Sequence, residues 1–210
     1  MLINLLNISP RVSFDISPRV SSQRACRASI SQEINLARNY LSGSIPSEWG
    51  LLPLVNITLL GYRLTGPIPK EIGNIITLER LVLENNQLSG TLPPELGRLS
   101  NLKRLVLYAS GLSGPIPLSI AHLTKLKDLM ISDMTGPEFF FPPLQSMTQM
   151  RQLVLRNINL KGELPSYLGT NTTNLTLLDV SFNKLTGAIP SSYEELRDVE
   201  NMYLSGNMLN

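Results

Sequence analysis

Apolar and polar positions along most of this chain repeat with a period of about 24 residues, which neither a helix nor a strand sustains alone. The clearest unit runs from Leu78 to Asn101, LERLVLENNQLSGTLPPELGRLSN. It sets leucine at Leu78, Leu81, Leu83, Leu88, Leu96 and Leu99, with Asn86, Gly90 and Pro93 between them. Within it, Arg80 to Glu84 alternates polar with apolar, which predicts a short strand whose Leu81 and Leu83 point inward. Gly90 and Pro93 turn the chain. The next block, LKRLVLYASGLSGPIPLSIAHLTK from Leu102 to Lys125, lays like residues over like. A unit that cannot close its own core, repeated in register, predicts a solenoid of stacked coils.

The glycines count the coils. Gly43, Gly66, Gly90, Gly114, Gly162 and Gly187 are separated by 23, 24, 24, 48 and 25 residues. The long step holds one further repeat, Leu126 to Gln149, in which the glycine slides to Gly136 and GPEFFFPPL replaces the usual turn. A half repeat, VENMYLSGNMLN, follows, so the reading is seven repeats plus a half over residues 31–210. Leucine at places one, four, six, eleven, nineteen and twenty-two, with asparagine at nine, is the leucine-rich repeat. The ninth place is Asn39, Asn86, Asn183 and Asn207, whose amides suit unpaired backbone groups of a sharp turn. Tyr62, Ser110, Met134 and Ile158 interrupt that ladder, so the central coils are expected to rely on packing. Residues 1–30 fall outside the period. They carry a tandem ISPRVS and read as a low-complexity, disordered arm.

The expected fold is a mostly-β, α/β-type solenoid. It is a right-handed superhelix with a parallel sheet on the concave face and 3₁₀ or irregular structure on the convex side. Residues flanking the core leucines then face the concave surface. The third places read Glu33, Asn56, Arg80, Arg104, Asp128, Gln152, Leu177 and Asn201. The fifth read Asn35, Thr58, Val82, Val106, Met130, Val154, Asp179 and Tyr203. Seventh and eighth places add Arg38, Glu84, Tyr108, Ser132, Asp133, Arg156, Asn157 and Phe182. From these, Arg80, Val82, Glu84, Arg104, Val106, Tyr108, Asp128, Val154 and Arg156 are the candidate ligand-binding residues. They form an apolar stripe flanked by charges, with arginine and tyrosine as anchors. The last coil, lacking a polar cap in this sequence, is expected to expose a sheet edge that favours association.

Composition narrows the chemistry. A charged fraction of 16%, a net charge of +2 and no basic run give no reason to expect nucleic acid or a membrane surface as partner. One cysteine, Cys26, and one histidine, His122, cannot make an internal disulfide or a cysteine–histidine metal cluster, and no cofactor is expected. His122 falls at a surface turn. No nucleophile motif or phosphate-cradling loop occurs, each glycine being explained by a coil turn, so catalysis is not expected of this chain. No apolar run reaches the length of a membrane helix, and MLINLLNI is a poor signal peptide. Sequons stand at Asn7, Asn56, Asn171 and Asn174. Asn171 and Asn174 are expected on a polar turn away from the strands, where a glycan leaves the inner face open, whereas Asn56 precedes a strand at that face.

Four hexapeptides, LSGSIP at Leu41, LTGPIP at Leu64, LSGPIP at Leu112 and LTGAIP at Leu185, resemble the plant-specific leucine-rich repeat over about residues 34–210. More narrowly, GYRLTGPIPKEIGNIITLERLVLENNQLSGTLPPELG, MISDMTGPEFFFPPL and LVLRNINLKGELPSYLG resemble ectodomains of plant receptor-like serine/threonine kinases in the subgroup with a malectin-like domain. That resemblance implies a plasma-membrane receptor with extracellular repeats, a peptide or protein ligand, a co-receptor and an intracellular kinase. The chain departs from this plan in lacking paired cap cysteines, a malectin-like region, a membrane helix and kinase strings such as HRD or DFG, and reads as a truncated piece. Near Leu107 and Tyr108 one repeat's strand reads as joined to another's turn, as deletion of whole repeats would leave it. A secreted inhibitor resembling the polygalacturonase-inhibiting proteins is the alternative, and kinase activity would belong to a domain outside this sequence.

Overall fold

The structure is a computed structural model that describes residues 32–37, 42–61 and 63–210. The N-terminal arm, with Asn7 and Cys26, and the repeat positions Arg38, Asn39 and Tyr62 lie outside them. Among the described residues eight short strands make one parallel sheet in chain order: Glu33–Asn35, Asn56–Thr58, Arg80–Val82, Arg104–Leu107, Asp128–Ser132, Gln152–Arg156, Leu177–Asp179 and Asn201–Tyr203. We number the coils one to eight by these strands. Register follows the repeat, with Ile57, Leu81, Leu105, Leu129, Leu153 and Leu178 at equivalent inward positions. It runs through Leu107, paired with Ile131, without a break. The leucines of the Leu78–Leu99 unit are buried to 3% exposure or less. Each such burial stabilises by about 1.5–3 kcal/mol, but only because neighbouring coils supply the walls.

On the opposite side the chain forms five-residue 3₁₀ turns at Ser47–Leu51, Lys70–Asn74, Pro94–Arg98, Leu118–His122 and Ser191–Glu195. An α-helical turn, Tyr167–Asn171, takes that place in coil six. A proline with extended backbone precedes each 3₁₀ turn: Pro46, Pro69, Pro93, Pro117 and Pro190. Stacking is close here. A Cβ on Gly50, Gly73, Gly97 or Gly169 would lie within 2.4 Å of the backbone oxygen of Glu71, Glu95, Ser119 or Ser192 in the next coil. Coil four has Ala121 at the equivalent place, and coil five, next in the stack, has no 3₁₀ turn. Glycine is therefore required by the neighbour's helix and not by its own backbone.

The LSG and LTG segments, read from sequence as turns alone, also pair as strands. Thr65–Gly66 pairs with Gln87–Leu88, and Phe139–Phe140, Leu160–Glu163, Lys184–Gly187 and Met208–Leu209 form a four-stranded parallel sheet. Single bridges join Gly43 to Leu64 and Ser113 to Thr135. The reason is backbone satisfaction. A turning segment leaves N–H and C=O groups pointing along the stack, and an equivalent segment in the next coil meets them, as in Thr65 N to Gly43 O and Gln87 N to Leu64 O, both 2.8 Å.

The asparagine ladder forms where asparagine is present. Asn86 donates to Leu59 O at 2.9 Å and accepts from Leu64 N at 3.3 Å. Asn183 accepts from Ile158 N and Leu160 N and donates to Leu155 O, and Asn207 accepts from Leu185 N and donates to Val180 O. At two gaps, Met134 and Ile158 are buried apolar residues, so packing does hold that part of the stack. At Ser110 a hydrogen bond survives by another route. Its backbone carbonyl accepts from Leu88 N at 2.8 Å, the role that the asparagine Oδ1 plays in other coils. The peptide can turn this way because Gly111 follows at φ +83°.

Coil five, rewritten in sequence, is rewritten in structure. Without its own 3₁₀ turn it receives Tyr167 from coil six, whose hydroxyl donates to Pro142 O at 2.5 Å and accepts from Leu144 N at 3.2 Å. On the flank, Glu138 meets Lys184 at 2.7 Å and Lys161 at 3.7 Å, and the Lys184 hydrogen bond holds its carboxyl below the usual range. Burial pushes the Tyr167 phenol up to about 12, and burial pushes Tyr193, whose hydroxyl reaches Pro165 O, higher still. An unfolded tyrosine titrates near 10.0. Between about pH 10 and 12 the unfolded chain therefore releases protons that the folded chain keeps, and stability falls as pH rises. Melting followed by circular dichroism is expected to show a Tm whose decline steepens above about pH 10, less so in Tyr167→Phe. An unchanged slope in both proteins would contradict this.

At the last coil, Met202, Tyr203 and Met208 are 37%, 50% and 60% exposed, so the described sheet ends on apolar side chains.

Candidate functional site

The strand face is built by the parallel register. Glu33, Asn56, Arg80, Arg104, Asp128, Gln152, Leu177 and Asn201 form one continuous row of partners. Asn35, Thr58, Val82, Val106, Met130, Val154, Asp179 and Tyr203 form a second. Both rows have the membership that the period predicts, because a two-residue alternation leaves third and fifth places on the face opposite the core.

The structure changes the role of the valines. Val82, Val106 and Val154 are expected from sequence to line the docking stripe, yet Val106 is 0% exposed and the other two are buried. With Met130 they form a second apolar cluster on the strand face, covered by Leu60, Tyr108 and Leu177. Strands about 4.8 Å apart let longer side chains lie over a short branched one, so the valines are a floor and their neighbours the surface. Tyr108 is half-buried on that floor. Burial first, then the negative charges of Asp179 and Glu84, push its phenol up to about 12 against the opposing pull of Arg104.

Charges alternate along the face. Nη1 of Arg104 lies 3.3 Å from Oδ2 of Asp128, and Nη1 of Arg156 lies 3.9 Å from Oδ2 of Asp179. Asp179 is buried, and its Oδ1 accepts from the backbone N and the Oγ of Ser181. The Arg156 guanidinium stacks 4.6 Å from the ring centroid of Phe182. Phe182 is the least suited occupant of its position. The eighth place takes left-handed backbone in Asn85, Asp133, Asn157 and Gly206, and Phe182 adopts φ +58° with its ring half exposed. For a bulky L-residue that conformation costs about 1–2 kcal/mol. Around Arg156, the residues Phe182, Asp179 and Tyr203 extend the candidate site beyond those chosen from sequence. A phenylalanine where glycine and asparagine recur is the sequence signal that points to them.

The remaining candidates separate by location. Asn56 is half-buried on the strand face beside Arg80, so an oligosaccharide there would cover part of the site. Asn171 and Asn174 are exposed on the helical side, with Nδ2 donating to Gln145 O and Thr148 O of the preceding coil. His122 is an exposed residue at the end of the Leu118–His122 turn. Among the described residues no group of histidine, cysteine and carboxylate side chains could hold a metal ion. No helix among them is long and apolar enough to cross a membrane.

The Leucine Rich Repeat family profile matches residues 32–52, 77–99 and 174–196, three coils of the stack just described. These coils are leucine-rich repeats. Over 78 residues, 37% of its length, the chain is 46% identical to a probable LRR receptor-like serine/threonine-protein kinase of Arabidopsis thaliana. It spans 8% of that relative. Among solved structures, the repeat domain superposes on the ectodomain of the Arabidopsis receptor kinase HAESA bound to an N-terminally extended IDA peptide hormone. The TM-score is 0.77 and the identity 37%, over 84% of this chain and 29% of that one. HAESA in complex with IDA and the co-receptor SERK1 gives 0.74 and 30%, over 93% of this chain and 37% of that one. The leucine-rich repeat solenoid of plant receptor ectodomains is thus the fold of this chain.

Proposed function

We propose that residues 31–210 form one recognition domain, without catalysis of its own, in the extracellular part of a plant receptor-like kinase. Its strand face holds an extended peptide or a loop of a partner protein, in company with a co-receptor. The observation that supports this most is the strand face itself. Eight strands hold two side-chain rows in register over an apolar floor, and exposed Arg80 and Tyr203 in those rows stand with Arg156, Phe182 and the half-buried Tyr108 beside them. Aromatic and arginine side chains over a desolvated base are the composition of interface anchors. A glycan at Asn171 or Asn174 leaves that face open. Membership of the malectin-like subgroup remains part of this proposal.

The test is a displayed random-peptide selection on the purified chain, followed by affinities for variants. Arg156→Ala and Tyr108→Ala are expected to weaken selected peptides at least about tenfold, and Leu118→Ala on the helical side to leave affinity unchanged. Equal losses at all three positions, or none, would remove the strand face from the account.

A further inference from the structure

Arg80 and Arg104 are register partners on adjacent strands, so both side chains rise from the same side of the sheet at neighbouring third places. Among the described residues one carboxylate pairs with either of them, and it pairs with Arg104 alone. Asp128, a strand further on, approaches Arg104 at 3.3 Å. Arg80 has no ion pair among the described residues, and its partner on the other side is the uncharged Asn56. The Nε of Arg104 is buried and has no hydrogen-bond acceptor. Like charges side by side repel, and a buried N–H without an acceptor is unfavourable. Both penalties fall at one place: an anion relieves the repulsion directly, and relieves the buried Nε when the Arg104 side chain turns outward to meet it. Beside it, two residues further along the same strands, Val82 and Val106 are buried apolar side chains, which lower the local dielectric and strengthen a charge-assisted hydrogen bond.

A carboxylate fits these donors. Its two oxygens accept in one plane, which matches the fork of a guanidinium, and the second arginine neutralises the remaining charge. The two arginines lie on the third and fourth of eight strands. A ligand crossing there continues over Asn56 and Thr58 on one side and over Met130 and Gln152 on the other. We infer that Arg80 and Arg104 together anchor an aspartate or glutamate side chain in the interior of an extended ligand segment. The inference rests on the reading of the strand face as a recognition surface and names the chemistry of its central subsite.

Two measurements test it. In the ligand-free chain, Arg80→Gln is expected to raise the Tm by about 1–3 °C, because it removes the in-register repulsion. An unchanged or lower Tm contradicts the frustration on which the inference stands. In solution NMR, the Arg104 Nε–Hε resonance, assigned by its loss in Arg104→Lys, is followed against three probes. These are a pentapeptide Ala-Ala-Glu-Ala-Ala blocked at both ends, pentaalanine with a free carboxyl terminus, and sodium chloride at matched ionic strength. The blocked glutamate peptide is expected to shift the resonance with an apparent affinity at least about fivefold above that of pentaalanine, chloride to leave it in place, and Arg80→Gln to reduce the effect several-fold. A resonance that ignores both peptides, or that follows pentaalanine more strongly, overturns the inference. The two readings fail separately. A selected peptide that binds equally well to Arg80→Gln and Arg104→Gln defeats this subsite while the recognition surface stands. A shift by the glutamate probe without any peptide selected on the strand face leaves the subsite and removes the receptor reading.

Discussion

Asn183→Ala is expected to cost about 3 kcal/mol and to lower the Tm by about 6–12 °C. Asn183 is buried and holds coil six to coil seven with one side chain. It accepts from Ile158 N at 3.1 Å and Leu160 N at 3.0 Å and donates to Leu155 O at 2.6 Å. Alanine leaves two N–H groups and a carbonyl unpaired among residues that are themselves buried, at about 1–3 kcal/mol for each group that water does not reach. Because contacts in a solenoid run only between neighbours, the loss is expected to be local first. Amide exchange should accelerate at Ile158 and Leu160 before it does in coils two to four. Ser110→Ala, at the same place in coil four, is expected to cost under about 1 kcal/mol. There a backbone carbonyl already accepts the Leu88 N–H, and the Ser110 hydroxyl reaches only Leu107 O. Thermal melts with exchange mass spectrometry compare the two. Equal costs would show that the ladder does not work through the buried amide.

Gly97→Ala is expected to destabilise by about 1–3 kcal/mol and Ala121→Gly by no more than about 1 kcal/mol, although the two positions are equivalent in the repeat. A Cβ on Gly97 would lie 2.4 Å from Ser119 O and 2.7 Å from Ser119 Cβ, both belonging to the 3₁₀ turn of the next coil. No flexible side chain can yield there, so the coils must separate. Ala121 faces coil five, which has no such turn, and its methyl group has room. The same reasoning makes Gly111→Ala severe for two causes at once, since its φ is +83° and a Cβ would stand 2.5 Å from Leu88 O. Denaturant melts of Gly97→Ala and Ala121→Gly decide the matter. A Gly97→Ala protein as stable as the parent would mean that the 3₁₀ stack is looser than its geometry.

Much of this architecture is legible in the chain because the interactions that build it are repeated. Register follows from the 24-residue period, and the faces of each strand from the alternation around Leu81, Leu105 and Leu129. The places of Asn86, Asn183 and Asn207, and the packing at Met134 and Ile158, follow from the same alignment. What escapes it depends on one coil's neighbour. Whether a valine on the strand face is covered depends on the length of Leu60, Tyr108 and Leu177 beside it. Pairing of the LSG segments depends on the separation of two turns and not on the content of either. The rescue of coil five by the Tyr167 hydroxyl crosses 25 residues to a carbonyl that no pattern marks. At the candidate site, Arg80, Arg104, Tyr108, Asp128 and Arg156 stand where alternation puts them. The free donor on Arg104 emerges only from local geometry, whereas Phe182 is marked in the sequence by standing where glycine and asparagine recur.

The central claim is that the strand face, and not the helical side, receives the partner. A photo-crosslinking amino acid placed in turn at Tyr108, Tyr203, Leu118 and Phe140 tests it, with the whole chain exposed to the secreted peptides and proteins of plant tissue. The account predicts a discrete, competable adduct from Tyr108 and Tyr203 and only background from Leu118 and Phe140. Adducts from Leu118 or Phe140 without any from the two tyrosines would contradict it.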